Sequence, residues 1–73
     1  MEGTDMPGQN FQGTSNEGDF QSALLEAVNR ALEALRGNTA DARIAWRLIE
    51  TSGSFGGILG ERAITVTIEA QLS

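Results

Sequence analysis

Trp46 and the arginines are the side chains of this chain best suited to recognising a ligand. An indole offers a flat apolar face for stacking, and Arg47, Arg62 and Arg43 offer planar forks for a phosphate or carboxylate. The 73 residues include no His, Cys, Tyr or Lys. Nucleophilic catalysis by Cys or Lys, imidazole acid–base work and zinc sites built on Cys or His are therefore excluded. Carboxylate, hydroxyl, amide and guanidinium groups remain. Glu50, Glu61 and Glu69 are the carboxylates closest to the strands, but no spacing forces two of them together across a cleft. No stretch has the oxygen-ligand spacing of a calcium loop either. The expectation is a protein that is not an enzyme, with no catalytic and no metal-ligating residues. Trp46 also alternates with Ile44 and Leu48, and on that pattern alone a lone Trp is more often a core residue of a strand than a ligand platform.

A second group is set apart by being apolar where polarity is expected. Ser52–Glu61 reads as the connection of a hairpin, with four glycines and the large apolar residues Phe55, Ile58 and Leu59. A solvated loop does not normally hold three such side chains, so they are expected to be buried against another subunit, a ligand or a partner. The glycines do not make a phosphate loop, because no Lys follows and the segment joins two strands instead of opening a helix.

The elements that position these residues follow from periodicity. From Asp19 to Arg36 the apolar residues Phe20, Leu24, Ala27, Val28, Ala31, Leu32 and Leu35 form one stripe of a helix. Asp19 suits its N-cap, Gly37 its C-terminal cap, and Glu26 and Arg30 stand four apart for an ion pair. After the turn Gly37–Asn38–Thr39 the period falls to two. Ile44, Trp46 and Leu48 are expected on one face, and Arg43, Ala45, Arg47, Ile49 and Thr51 on the other. In the next strand Ile64, Val66, Ile68 and Ala70 alternate with Ala63, Thr65, Thr67, Glu69 and Gln71. The two strands form an antiparallel hairpin whose apolar faces both receive the helix, giving an α+β helix-on-sheet layer.

Size and charge narrow the partners. A chain this short buries only about 60 % of its unfolded surface, and without disulfides or metal clips oligomerisation completes the core most economically. The formal net charge of −5, with arginines scattered along the chain, disfavours nucleic acid and anionic membrane surfaces. Met1–Asp5 lacks the basic start and apolar centre of a signal peptide, and the expected compartment is the cytoplasm. Residues 1–12 read as a flexible Gly-rich acidic tail and 13–73 as a single domain.

The run Gly13–Thr14–Ser15–Asn16–Glu17–Gly18 leads into an Ala-rich helix. A strand opened by Trp46 and a final strand of alternating Val, Ile and Thr follow. In this order the chain is similar to the dodecins, small flavin-binding proteins of β-α-β-β order that assemble as hollow dodecamers. The resemblance implies a first strand ahead of Gly13, a homo-oligomer up to a dodecamer, and a flavin (FMN, FAD or riboflavin) stacked on Trp46. Arg47 and Arg62 are then available for a ligand phosphate. The position where the family carries a flavin-bonding Gln is Ala63 here. Two other readings stand beside a ligand-binding or storage protein. One is an acidic interaction or inhibitor module that inserts Phe55, Ile58 and Leu59 into a partner. The other is a structural shell subunit whose apolar loop seals its contacts.

Overall fold

The computed structural model describes residues 8–37 and 41–73. Along the chain β1 (Gln9–Ser15) is followed by α1 (Phe20–Arg36), β2 (Ile44–Gly56) and β3 (Glu61–Leu72). The strands form one antiparallel sheet in the order β1-β3-β2, with the helix packed on one face. This is the expected α+β class. The tail expected over 1–12 is shorter at its C-terminal end, because Gln9–Gln12 belong to β1 and pair with Ala70 to Thr67. Residues 1–7 of that tail, and Asn38 and Thr39 of the expected turn, lie outside the described residues.

The turn from β1 into α1 is built by side chains that accept backbone hydrogen bonds. The buried Ser15 Oγ accepts from the N–H groups of Glu17 and Asp19 at 3.2 and 3.1 Å. Asp19 has extended backbone, φ −96° and ψ 104°, and caps the helix: Oδ1 accepts from Gln21 N–H at 3.1 Å and Oδ2 from the Ser22 hydroxyl at 2.7 Å. Glu26 and Arg30 make the expected pair at 3.2 Å. Gly37 ends the helix at φ 58° but ψ −123°, so it stops the chain outside the left-handed helical conformation expected of the cap.

The Ser22 hydroxyl, opposed by desolvation and helped by the N–H groups of Ser22 and Gln21, holds the Asp19 carboxyl below its ordinary value of 3.8. The folded state therefore binds this proton more weakly than the unfolded one. The contribution is complete above the unfolded value and is lost as pH falls through the lowered one. Asp19→Ala should lower the thermal midpoint at pH 7 and flatten its decline below about pH 4; equal pH profiles for variant and parent would contradict the cap.

The helix approaches the sheet through small residues. Ala23, Ala27 and Ala31, one turn apart, are fully buried and pack with Val66, Ile68 and Ala70 of β3. Opposite them β1 presents Gly13, whose Cα lies so close to the helix backbone that an added methyl would overlap the Ala23 carbonyl and crowd the Ala27 amide. Among the described residues only Ile68 and Val66 are large and fully buried, with Phe11, Leu24, Val28, Leu35, Ile44 and Ile64 partly buried around them.

Helix and sheet do not match in width. The helix lies over β1 and β3 and barely reaches β2, so it does not cover the apolar faces of both hairpin strands as expected. At about 3.3 Å per residue the thirteen residues of β2 extend for roughly 43 Å, consistent with overall dimensions of 50 × 30 × 13 Å. The radius of gyration is 14.6 Å, whereas a compact chain of this length has about 11 Å.

Candidate functional site

Among the described residues, seven of the nine exposed large apolar residues sit on the β2–β3 hairpin, and Phe20 and Leu25 on the helix. Trp46 pairs with Ala70 and Leu48 with Ile68, so both lie on the face that the helix packs against. Their partners on β3 are buried beneath the helix, but Trp46 remains 43 % and Leu48 45 % exposed because the helix does not extend over their strand. Leu72, opposite Ile44, is exposed beside them. Trp46 is thus neither a buried core residue nor an isolated surface one.

The alternation of β2 changes phase at Ile49. The register steps from Leu48↔Ile68 to Glu50↔Thr67, leaving Ile49 as the extra residue of a bulge. Thr51 was expected beside Arg47 on the face away from the helix. It instead stands opposite Val66 on the Trp46 face, and Glu50 takes the other side. The outer face is polar: Gln12 Nε2 donates to Thr67 Oγ1 at 3.3 Å, and the Thr14 and Thr65 hydroxyls share a hydrogen bond of 3.3 Å. Arg47 lies on this face and donates from Nε to Glu69 Oε1 at 2.9 Å. This cross-strand pair follows from register, Arg47 facing Glu69, and alternation alone cannot show it.

The candidate ligand residues are not brought together within one chain. Trp46 and Arg47 are neighbours on opposite faces of β2. Arg62 faces Phe55 at the far end of the hairpin, eight residues along β3 from the Trp46 partner Ala70, or about 26 Å. There the backbone of Glu17 pairs with that of Arg62 in an isolated parallel bridge, and Gly18 passes over the Arg62 stem. A groove of about 410 Å³ runs past Ala45, Trp46, Arg47, Glu69 and Gln71. Another, of about 600 Å³, lies between Glu17, Gly18, Thr51, Phe55, Arg62 and Ile64.

The Gly-rich connection is shorter than expected. β2 runs to Gly56 and β3 starts at Glu61, so only 57–60 turn, closed by Gly60 N–H donating to the Gly57 carbonyl at 3.2 Å. Gly57 and Gly60 have φ of 84° and 69°, values that other residues seldom adopt. Phe55 is consequently a strand residue, and Ile58 and Leu59 form the tip. All three project from the fold, 87 %, 101 % and 94 % exposed.

Among the described residues no cluster of carboxylates is placed to hold a metal ion, and no helix is long and apolar enough to cross a membrane. Comparison with family models, curated proteins and solved structures finds no match.

Proposed function

We propose that this chain is the subunit of a cytoplasmic homo-oligomer that binds or stores a small aromatic ligand, a flavin among the candidates, with Trp46 as the stacking platform. The carrying observation is the half-exposed indole on a sheet face whose other half is buried under the helix. Flat apolar surface at the border of a core, flanked by Leu48 and Leu72, suits a planar ring. The β-α-β-β order supports the resemblance to the dodecins. Arg47 lies on the sheet face opposite Trp46 and Arg62 at the far end of the hairpin, so a phosphate on a ligand stacked against Trp46 would draw on an arginine of another copy.

Trp46 is the chain's only tryptophan, and there is no tyrosine, so its emission is a direct probe. Adding riboflavin should quench that emission saturably, and Trp46→Ala should weaken binding by about 10- to 100-fold, the equivalent of one aromatic stack. Riboflavin binding of equal affinity in the variant would contradict Trp46 as the platform.

A second reading rests on the hairpin tip. Phe55, Ile58 and Leu59 make a continuous apolar projection on an acidic protein, the form expected of an interaction or inhibitor module or of a shell subunit that seals its neighbours. An interaction module is a monomer or dimer that loses its partner when Phe55 and Leu59 become Ala, whereas a shell subunit forms a particle that takes up no ligand.

A further inference from the structure

The two edges of the sheet are not alike. β1 is seven residues long, and its Thr14 N–H already donates to Glu26 Oε1 of the helix at 2.6 Å. β2 is thirteen residues long, contains no Pro, and has β3 on one side only; among the described residues nothing pairs with its outer edge. A long edge of unpaired N–H and C=O groups is a template for another strand.

We infer that β2 pairs edge to edge and antiparallel with β2 of a second copy, in the register that sets Arg47 opposite Glu50 in both directions. The inference rests on the homo-oligomeric reading and specifies how two copies meet. Its support is the self-complementarity of this strand. In a regular strand residues 47 and 50 would lie on opposite faces; the bulge at Ile49 puts Arg47 and Glu50 on the same, outer face. A two-fold axis between Leu48 and Ile49 then matches each arginine with a glutamate of the other copy. Across the same seam Trp46 faces Thr51 on the helix side, and Ala45 faces Ser52 on the outer side. Each of these pairs joins residues of the same face, so the register is consistent on both sides of the bulge, where Leu48 meets the bulged Ile49 at the axis. Arg47 retains Glu69 as its intrachain partner, and its planar fork has donors for a second carboxylate. An unrelated extended segment would have to supply opposite charges at the same two positions; a second copy supplies both by symmetry.

Cysteine pairs test the register, because the chain has no cysteine of its own. Ala45 and Ser52 lie about 23 Å apart along one strand and cannot form a disulfide within a chain. Across the seam they are opposite each other. In the full chain, Ala45→Cys with Ser52→Cys should give a covalent dimer under mild oxidation. Ala45→Cys with Ser54→Cys, shifted two residues on the same face, should crosslink at least about tenfold more slowly. Glu50→Arg should weaken association by at least about tenfold with an unchanged circular dichroism spectrum, since like charges then meet at both ends of the seam. If the parent has an oligomer's mass but neither pair crosslinks, or both do so equally, the seam is overturned and the homo-oligomeric reading survives. A monomeric parent overturns both.

Discussion

Replacing Gly13 with alanine should destabilise the fold by about 3 kcal/mol or more, the upper part of the range for overpacking. The added methyl would meet the Ala23 carbonyl and the Ala27 amide, which are backbone groups of the helix and cannot swing aside as a side-chain end can. Either β1 bends away from β3 or the helix lifts, separating Ala23, Ala27 and Ala31 from Val66 and Ile68. At roughly 0.05–0.15 kcal/mol per residue a chain of this length has about 4–11 kcal/mol in total, so one methyl would remove a large share. Denaturant titration of parent and variant measures the difference. A change below about 0.5 kcal/mol, the usual size for a surface substitution, would contradict the close approach of helix and strand.

If the chain assembles as proposed, the combined substitution Phe55→Ser, Ile58→Ser and Leu59→Ser should have a large effect on association and little on the fold of the single chain. These side chains are almost wholly in solvent within the chain, so their removal leaves the core and the β2–β3 register intact. In an assembly that covers them, each is worth about 1.5–3 kcal/mol, and the three together weaken association by several orders of magnitude. Sedimentation should show the particle replaced by small species whose circular dichroism matches the parent's. A variant of unchanged mass would mean that the tip lies outside the subunit contacts, which favours its use against a different partner.

The parts of the fold that were legible in sequence are those whose pattern answers to their own burial. The helix declares itself because Asp19 caps it and its apolar residues recur at helical period, although the expected stripe included the exposed Phe20 and lacked the buried Ala23; β3 does so because it is the central strand, with Val66, Ile68 and Ala70 facing the helix. β1 is nearly invisible. It is an edge strand of Gln, Asn, Gly, Thr and Ser with Phe11 as its main apolar anchor, and it is held by pairing to β3. Gly13 has the composition of a flexible tail, although what requires it is the helix backbone above, which no local pattern reveals. In β2 the alternation is legible up to Leu48 and then misleads, because one extra residue at Ile49 moves Thr51 to the other face.

The candidate site was legible to a smaller degree for a related reason. Trp46, Arg47 and Arg62 can be selected by chemistry, but whether they converge depends on strand register and on how far the helix extends across the sheet. Register separates Arg47 from Trp46 by a sheet thickness and Arg62 from Trp46 by most of the hairpin. The Arg47–Glu69 pair and the bond from Thr14 N–H to Glu26 have the same origin: each joins residues distant in sequence. The exposure of Trp46 and Leu48 follows from a helix seated over β1 and β3, a consequence of the small-residue contact at Gly13.

The solution mass of the purified full chain, measured by light scattering together with an absorbance spectrum of the same peak, tests the central claim most directly. The account predicts a particle of many subunits, near twelve if the resemblance to the dodecins extends to assembly, that carries flavin absorbance or acquires it when riboflavin is added. A stable monomer of 7.8 kDa that takes up no flavin would contradict it.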